Sequence, residues 1–381
     1  MNKKLLIYLF ITFFTFITPV SAASLKSEVY ELLSDADLDR GDQAICTEGA
    51  KTDISLNADD RIIPASVSKL YTFDFALSKI PTDFRYKTTF IVNKNTLYIN
   101  GSGDQFFVKE HLKSIMTELA KDKQKDSTAK IDTIVFSPGF YFNWNQSPSD
   151  VQMALFTALK ADPSYPLAKA IKVTVGTAPY AGTGTQYEFS SAPFIKLLKH
   201  TNNWSTNLAA DAIFLQLGGS KAFSQYMKDT YKTGDDEVYF ETGSGLRGNY
   251  TTCDLTLRVI EHLDTTLKAK GFTTTDVLTI PILDEGVLRS RNIGAEYPVT
   301  IAAKSGFINF HHTLAGVINT TKAPIYFGIF TKYEDLLETP TAKKVVEAIA
   351  NEMLDANKKV LKAYDYTPKP IPPTDTLLKK L

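Results

Sequence analysis

Cysteine is nearly absent from this 381-residue chain; only Cys46 and Cys253 occur. That excludes a stabilising disulfide framework, but it leaves one bond and two buried thiols equally open, because spacing along a chain does not place two sulfurs within bonding distance. An excess of charge of one sign is also missing. Lysine plus arginine number 42 and aspartate plus glutamate 42, so no nucleic-acid partner and no anionic membrane surface is implied. Internal repeats are absent. No cluster of further ligands accompanies His311-His312, so a structural role is expected for that pair, with no metal and no cofactor.

Long apolar runs are confined to the N-terminus, where Lys3 and Lys4 precede Leu5 to Ile17 and then Pro19-Val20-Ser21-Ala22-Ala23. A basic start, a hydrophobic stretch and small residues at an A-x-A-like site read as a secretory signal peptide, residues 1–22, with cleavage after Ala22 or Ala23. A retained membrane span needs about 20 apolar residues. This run is shorter and carries Thr12 and Thr15, and no cysteine near the cleavage site offers a lipid attachment point. The expectation is export across the inner membrane to the periplasm, with no stable membrane anchor.

Ser24 to Leu38 has the apolar spacing of an amphipathic helix, and Ala44–Thr47 and Thr52–Leu56 read as short strands around a turn at Gly49. Ile62-Ile63-Pro64 leads into a helix whose Leu70, Phe73, Phe75, Ala76 and Leu77 form a broad apolar surface, as a buried central helix requires. From Phe84 the pattern changes. Strands at Lys87–Val92, Thr96–Ile99, Ile131–Phe136 and Ile171–Val175 alternate with helical stretches at Lys109–Leu119 and Val151–Leu159. Helices return at Ala192–Leu198 and Leu208–Leu217, separated by Asn202 to Asn207, and again at Lys221–Tyr231 and Thr252–Leu267. Val299–Ile308, Thr313–Ile318 and Pro324–Phe330 form a β-meander, and a helix from Thr341 to about Leu361 follows it. The expected fold class is α+β: one antiparallel sheet with helices on both faces, plus a smaller α/β insertion. Residues 23–83 and 186–366 would form the main domain, 84–185 the insertion, and 367–381 an extended or loose proline-rich tail.

Ser66-Val67-Ser68-Lys69 places a hydroxyl and an amine three residues apart, on one helix face. An ordinary lysine amine, with a pKa near 10.4, is no base at neutral pH. Burial and a neighbouring cation must bring it to about 7 to 8, a change worth roughly 4 kcal/mol. A second lysine is therefore expected near the first, with a proton relay and donors for an oxyanion. Each motif has a duplicate. Ser127-Thr128-Ala129-Lys130 repeats the S-x-x-K but follows the charged run Lys121 to Asp126. Ser205-Thr206-Asn207, in a tight inter-helix loop, suits the relay better than Ser290-Arg291-Asn292 in a polar stretch. Lys304-Ser305-Gly306, inside an edge strand, suits the second cation better than Lys232-Thr233-Gly234, which ends a helix.

With these motifs placed in order, the chain resembles the D-alanyl-D-alanine carboxypeptidase/endopeptidase family, the class C low-molecular-mass penicillin-binding proteins. Pro64-Ala65-Ser66, Gly101-Ser102-Gly103-Asp104, Gly243-Ser244-Gly245-Leu246 and Leu314-Ala315-Gly316 add to the likeness. Thr242, Arg247-Gly248 and Lys304-Ser305-Gly306-Phe307 depart from the usual family residues, and the span from Ser66 to Ser205 is short. The resemblance implies a β-lactamase/DD-peptidase-like fold and a serine-type D-Ala-D-Ala carboxypeptidase or DD-endopeptidase. Its partners would be peptidoglycan peptides ending in D-Ala-D-Ala, with β-lactam antibiotics as inhibitors. It also implies roles. Ser66 is the nucleophile, Lys69 its base and Ser205 the relay. Asn207, Lys304, Ser305, Gly306 and Phe307 bind substrate, with the backbone N–H groups of Ser66 and Phe307 as oxyanion hole. A β-lactamase and a non-catalytic peptidoglycan-binding protein of the same fold are the alternatives. No E-x-x-x-N segment between Ser205 and Lys304 supports the first, and the complete residue set argues against the second.

Overall fold

The computed structural model describes residues 24–49, 53–123, 131–161, 172–234, 236–246, 248–335, 338–368 and 376–381. The expected signal peptide and the second S-x-x-K at Ser127 lie outside the described residues. Helix α1 (Leu25–Asp35) is capped by Ser24, which accepts from the Ser27 N–H, and buries Leu25, Val29 and Leu33 as one stripe. Strands β1 (Ala44–Glu48) and β2 (Ser55–Leu56) follow. A 3-10 turn, Ala65–Val67, then enters α2 (Ser68–Leu77), all of whose residues are buried.

The middle of the chain builds β3 (Lys87–Asn93), β4 (Thr96–Asn100), α3 (Lys109–Lys123), β5 (Thr133–Phe136), α4 (Pro148–Ala161), β6 (Lys172–Val175) and β7 (Thr185–Ser190). Helices α5 (Phe194–Trp204), α6 (Asn207–Gln216), α7 (Gly219–Tyr231) and α8 (Cys253–Ala269) come next. The meander β8 (Ile301–Ile308), β9 (His311–Ile318) and β10 (Ile325–Lys332) is followed by α9 (Thr339–Ala356) and β11 (Leu377–Lys380). Helix α5 runs on to Trp204, further than its apolar spacing predicts. Thr279 bonds to both of the buried Asn202 and Asn203 side chains there, taking a bond from Asn202 Nδ2 at 3.0 Å and giving one to Asn203 Oδ1 at 2.8 Å.

The first sheet has the order β2-β1-β10-β9-β8 with every pair antiparallel, so the N-terminal strands sit beside the meander as expected. Period-two alternation divides its strands between two cores. Ile301, Ala303, Leu314, Ile318, Ile325, Phe327 and Ile329 pack with α1 and α9. Ala302, Ala315, Val317, Tyr326 and Phe330 pack with α2, α7 and α8. By the same alternation Lys304 and Gly306 share the face of Ala302, toward α2. Cys46 of β1 is bonded to Cys253, the first residue of α8, with Cα atoms 6.0 Å apart across a separation of 207 residues. This bond fastens α8 to the sheet. The double variant Cys46→Ser/Cys253→Ser is expected to lose about 2–5 kcal/mol of stability, read from its urea unfolding midpoint.

The second sheet has the order β11-β7-β3-β4-β5-β6. Pairs β4–β5 and β5–β6 are parallel, with α3 and α4 as their crossovers. Two features bear on the expected bounds. Strand β7 lies beyond the expected boundary at residue 185, because Tyr187 and Phe189 belong to the core of Phe90, Phe107, Ile134 and Phe136. Of the two expected forms of the tail, extended or loose, its end takes the extended one as β11, paired antiparallel with β7 from Leu377↔Ser190 to Lys380↔Tyr187; the open edge of β7 offers the hydrogen-bonding groups that order it.

Candidate active site

Ser66 sits on the 3-10 turn, one step before the regular helix. Ala65 beside it adopts φ 48°, an uncommon conformation for a residue with a side chain. Contacts from three directions impose it. Thr313 Oγ1 of β9 donates to Pro64 O at 3.0 Å. Gly306 of β8 lies so close that a Cβ there would stand 2.8 Å from Ser66 N and 2.2 Å from Thr313 Oγ1. Gly245, at φ +84°, approaches from the other side, where a Cβ would fall 1.9 Å from Ala65 O. Only glycine fits these two approaches.

Lys69 is buried, and its Nζ donates to Ser66 Oγ at 3.0 Å, to Asn207 Oδ1 at 2.8 Å and to Ser244 O at 3.2 Å. Burial brings its pKa down to about 7, against the upward pull of the Asp211 carboxylate. Near neutrality the amine thus exchanges between two forms. The ammonium donates all three bonds; the neutral amine keeps two and turns a lone pair toward the Ser66 hydroxyl.

Asp211 and Ser244 were not foreseen as site residues. Asp211 lies one turn beyond Asn207 on α6, on the same face. Its carboxylate accepts from Ser244 N at 2.8 Å and from Ser244 Oγ at 3.1 Å, and so holds the loop that turns Ser244 O toward Lys69. Gly243-Ser244-Gly245 was legible, but as a turn only. Asn249 fixes the same loop, donating to Ser68 Oγ at 3.0 Å and to Thr242 O at 2.8 Å. The Asp211→Asn variant keeps the shape and removes the anion that favours the Lys69 ammonium. The acidic limb of its pH–acylation profile is therefore expected below pH 7, measured by stopped-flow across pH 5 to 9.

Ser205 caps α5 in the left-handed region, at φ 53° and ψ 40°. Its half-buried hydroxyl makes no hydrogen bond to Ser66 or Lys69 among the described residues. Thr279 connects this helix end to β8: its N–H donates to Ala303 O at 3.1 Å and its carbonyl accepts from Ala303 N at 2.8 Å, one residue before Lys304. Lys304 is buried and donates to Ser305 O. Burial, then Lys69, then Arg291 push its pKa well down. Both parts of the expectation, burial and a neighbouring cation, are present here. Burial is the largest cause of the lowered Lys69 pKa, and the two buried amines also repel one another. Phe307 is 56% exposed and stacks on the His312 ring at 4.7 Å.

The duplicates make other contacts. Lys232 is exposed at the end of α7 and donates to Asp229 O at 2.7 Å. Arg291 pairs with Glu347 of α9, which also takes the Asn292 N–H at 3.3 Å.

Residues 24–161 match the model of the D-Ala-D-Ala carboxypeptidase 3 (S13) family, and residues 151–357 match that of the β-lactamase enzyme family. No curated protein sequence matches the chain. Among solved structures, the penicillin G-acylated Bd3459 predatory endopeptidase from Bdellovibrio bacteriovorus, in complex with immunity protein Bd3460, aligns with 26% identity and a TM-score of 0.76. The alignment covers 89% of this chain and 98% of that one. Penicillin-binding protein 4 from Haemophilus influenzae, at 14% identity and TM-score 0.65, covers 85% of this chain and 99% of its own, and shares the fold. The architecture is the β-lactamase/DD-peptidase-like fold.

Proposed function

The chain belongs to the serine enzyme family of D-Ala-D-Ala carboxypeptidases and β-lactamases, and from that premise we propose that it is a serine-type D-Ala-D-Ala peptidase acting on peptidoglycan stem peptides. The observation that carries this reading is a buried amine, with pKa about 7, held 3.0 Å from the Ser66 hydroxyl. Ser66 Oγ attacks the carbonyl of the D-Ala–D-Ala bond while its proton passes to Lys69. The N–H groups of Ser66 and Phe307 receive the oxyanion. Collapse breaks the C–N bond, and Ser205 relays a proton to the departing amine. Water then hydrolyses the ester and restores Ser66. Asn207 holds Lys69 and the substrate amide, while Lys304 and Ser305 meet the terminal carboxylate, whose charge favours the Lys304 ammonium. Residues 1–22 would direct the chain to the periplasm. No helix among the described residues is long and apolar enough to cross a membrane.

Labelling with a fluorescent penicillin tests the assignment. The wild type is expected to form a long-lived adduct and Ser66→Ala none. Equal labelling of both would remove Ser66 from its role, and no labelling of either would favour a non-catalytic protein. Rapid penicillin turnover would mark a β-lactamase. The likeness to the Bd3459 predatory endopeptidase favours cross-link cleavage as a second reading. Mass spectrometry of digested muropeptides separates the two: loss of terminal D-alanine marks a carboxypeptidase, loss of dimers an endopeptidase.

A further inference from the structure

The chain contains two tryptophans, and both line one groove. Its volume is about 790 Å³, within the roughly 300–1,000 Å³ typical of small-ligand sites. His200, Trp204 and Thr206, at the end of α5 and the loop after it, form one wall. Lys109 at the start of α3 and Asn143-Trp144 in the loop before α4 contribute to the other. Trp144 stacks on His200 with ring centroids 5.5 Å apart and planes 3° apart. His200 is buried, and its Nδ1 has no hydrogen-bond partner. Trp204 is 49% exposed. Asn143 and Trp144 adopt φ 53° and 69°, two successive left-handed residues with side chains. Such a conformation is costly for residues with side chains and marks a segment held by its surroundings.

We propose that this groove binds the saccharide to which the stem peptide is attached. An N-acetylated pyranose ring has axial C–H groups on its faces and hydroxyl and amide groups on its rim. Flat indole faces bordered by Asn143, Lys109 and Thr206 match that division. The groove reaches Thr206, which lies between Ser205 and Asn207. A stem peptide whose D-alanine end acylates Ser66 needs about 17 Å for five extended residues, so its sugar falls beside the site rather than across the molecule. The assignment of this ligand rests on the peptidase reading given above.

Because there are no other tryptophans, intrinsic tryptophan fluorescence of the full protein reports on this groove alone. Ser66→Ala titrated with peptide-free N-acetylglucosaminyl-N-acetylmuramic acid is expected to show a saturable change, and the affinity should fall about tenfold when Trp204→Ala is added. In the otherwise wild-type enzyme, Trp204→Ala should lower by about tenfold the ratio of kcat/KM on disaccharide-pentapeptide to that on free pentapeptide. A flat titration, a response only to free pentapeptide, or an unchanged ratio overturns the proposal. The titration does not depend on Ser66, so failure of penicillin labelling and failure of saccharide binding are separate results.

Discussion

Lys69→Met slows acylation of Ser66 by penicillin about 10⁴-fold, the upper range for loss of a positioned general base. Methionine nearly matches the length and the apolar stem of lysine, so the buried α2 keeps its packing. It cannot accept the Ser66 proton, and it leaves Asn207 Oδ1 and Ser244 O without the donor they share now. Stopped-flow acylation measures the loss; a rate within tenfold of wild type would mean that another group takes the proton. The same variant carries a signature in stability. The Lys69 pKa is lowered on folding, to about 7, so between pH 7 and the ordinary lysine range the unfolded chain binds more protons than the folded one. Wild-type stability therefore rises with pH across that window. Lys304 contributes in the same direction, since its pKa is lowered too. The variant keeps the Lys304 contribution and loses that of Lys69. Its urea midpoint should thus rise less from pH 7 to pH 9 than that of the wild type.

Gly306→Ala lowers kcat/KM by about 10² to 10³-fold. The added methyl would meet Ser66 N at 2.8 Å and Thr313 Oγ1 at 2.2 Å, distances that require the turn or the strand to move. Movement of the turn misplaces the nucleophile. Movement of the strand carries away Phe307, whose N–H is proposed as an oxyanion donor. Either displacement is of the size that costs about two orders of magnitude in rate. Urea unfolding of the same variant separates this effect from loss of the fold, and a near-wild-type rate would show that β8 and the Ser66 turn do not need to stay so close.

What could be read from the sequence was local, or repeated with a period. Helix spacing brought Ser66 to Lys69, and period two set Lys304 inside an edge strand of the meander. Local context, a helix stop after Lys232 and a polar stretch around Ser290, set aside those two copies. What could not be read depends on chain segments meeting across long separations. Asp211 looked like an ordinary helix residue until the Gly243–Gly245 loop folded against it. Cys46 and Cys253 carried no sign of whether they would meet. Strand β7 was not read at all, since only the packing of Tyr187 and Phe189 against Phe90 and Phe107 assigns that segment to the second sheet. The balance of causes at Lys69 was hidden for a different reason. Motif spacing announces a neighbouring charge, but the degree of burial, which moves Lys69 most, depends on every residue packed around it.

The most direct test of the account is the pH dependence of the second-order rate of Ser66 acylation by penicillin. A buried Lys69 acting as neutral base predicts a rate that climbs through pH about 7 and levels above it, with the adduct mapped to the peptide containing Ser66. A rate that is flat from pH 5 to 9, or that climbs only near the ordinary lysine value of about 10.4, would contradict it.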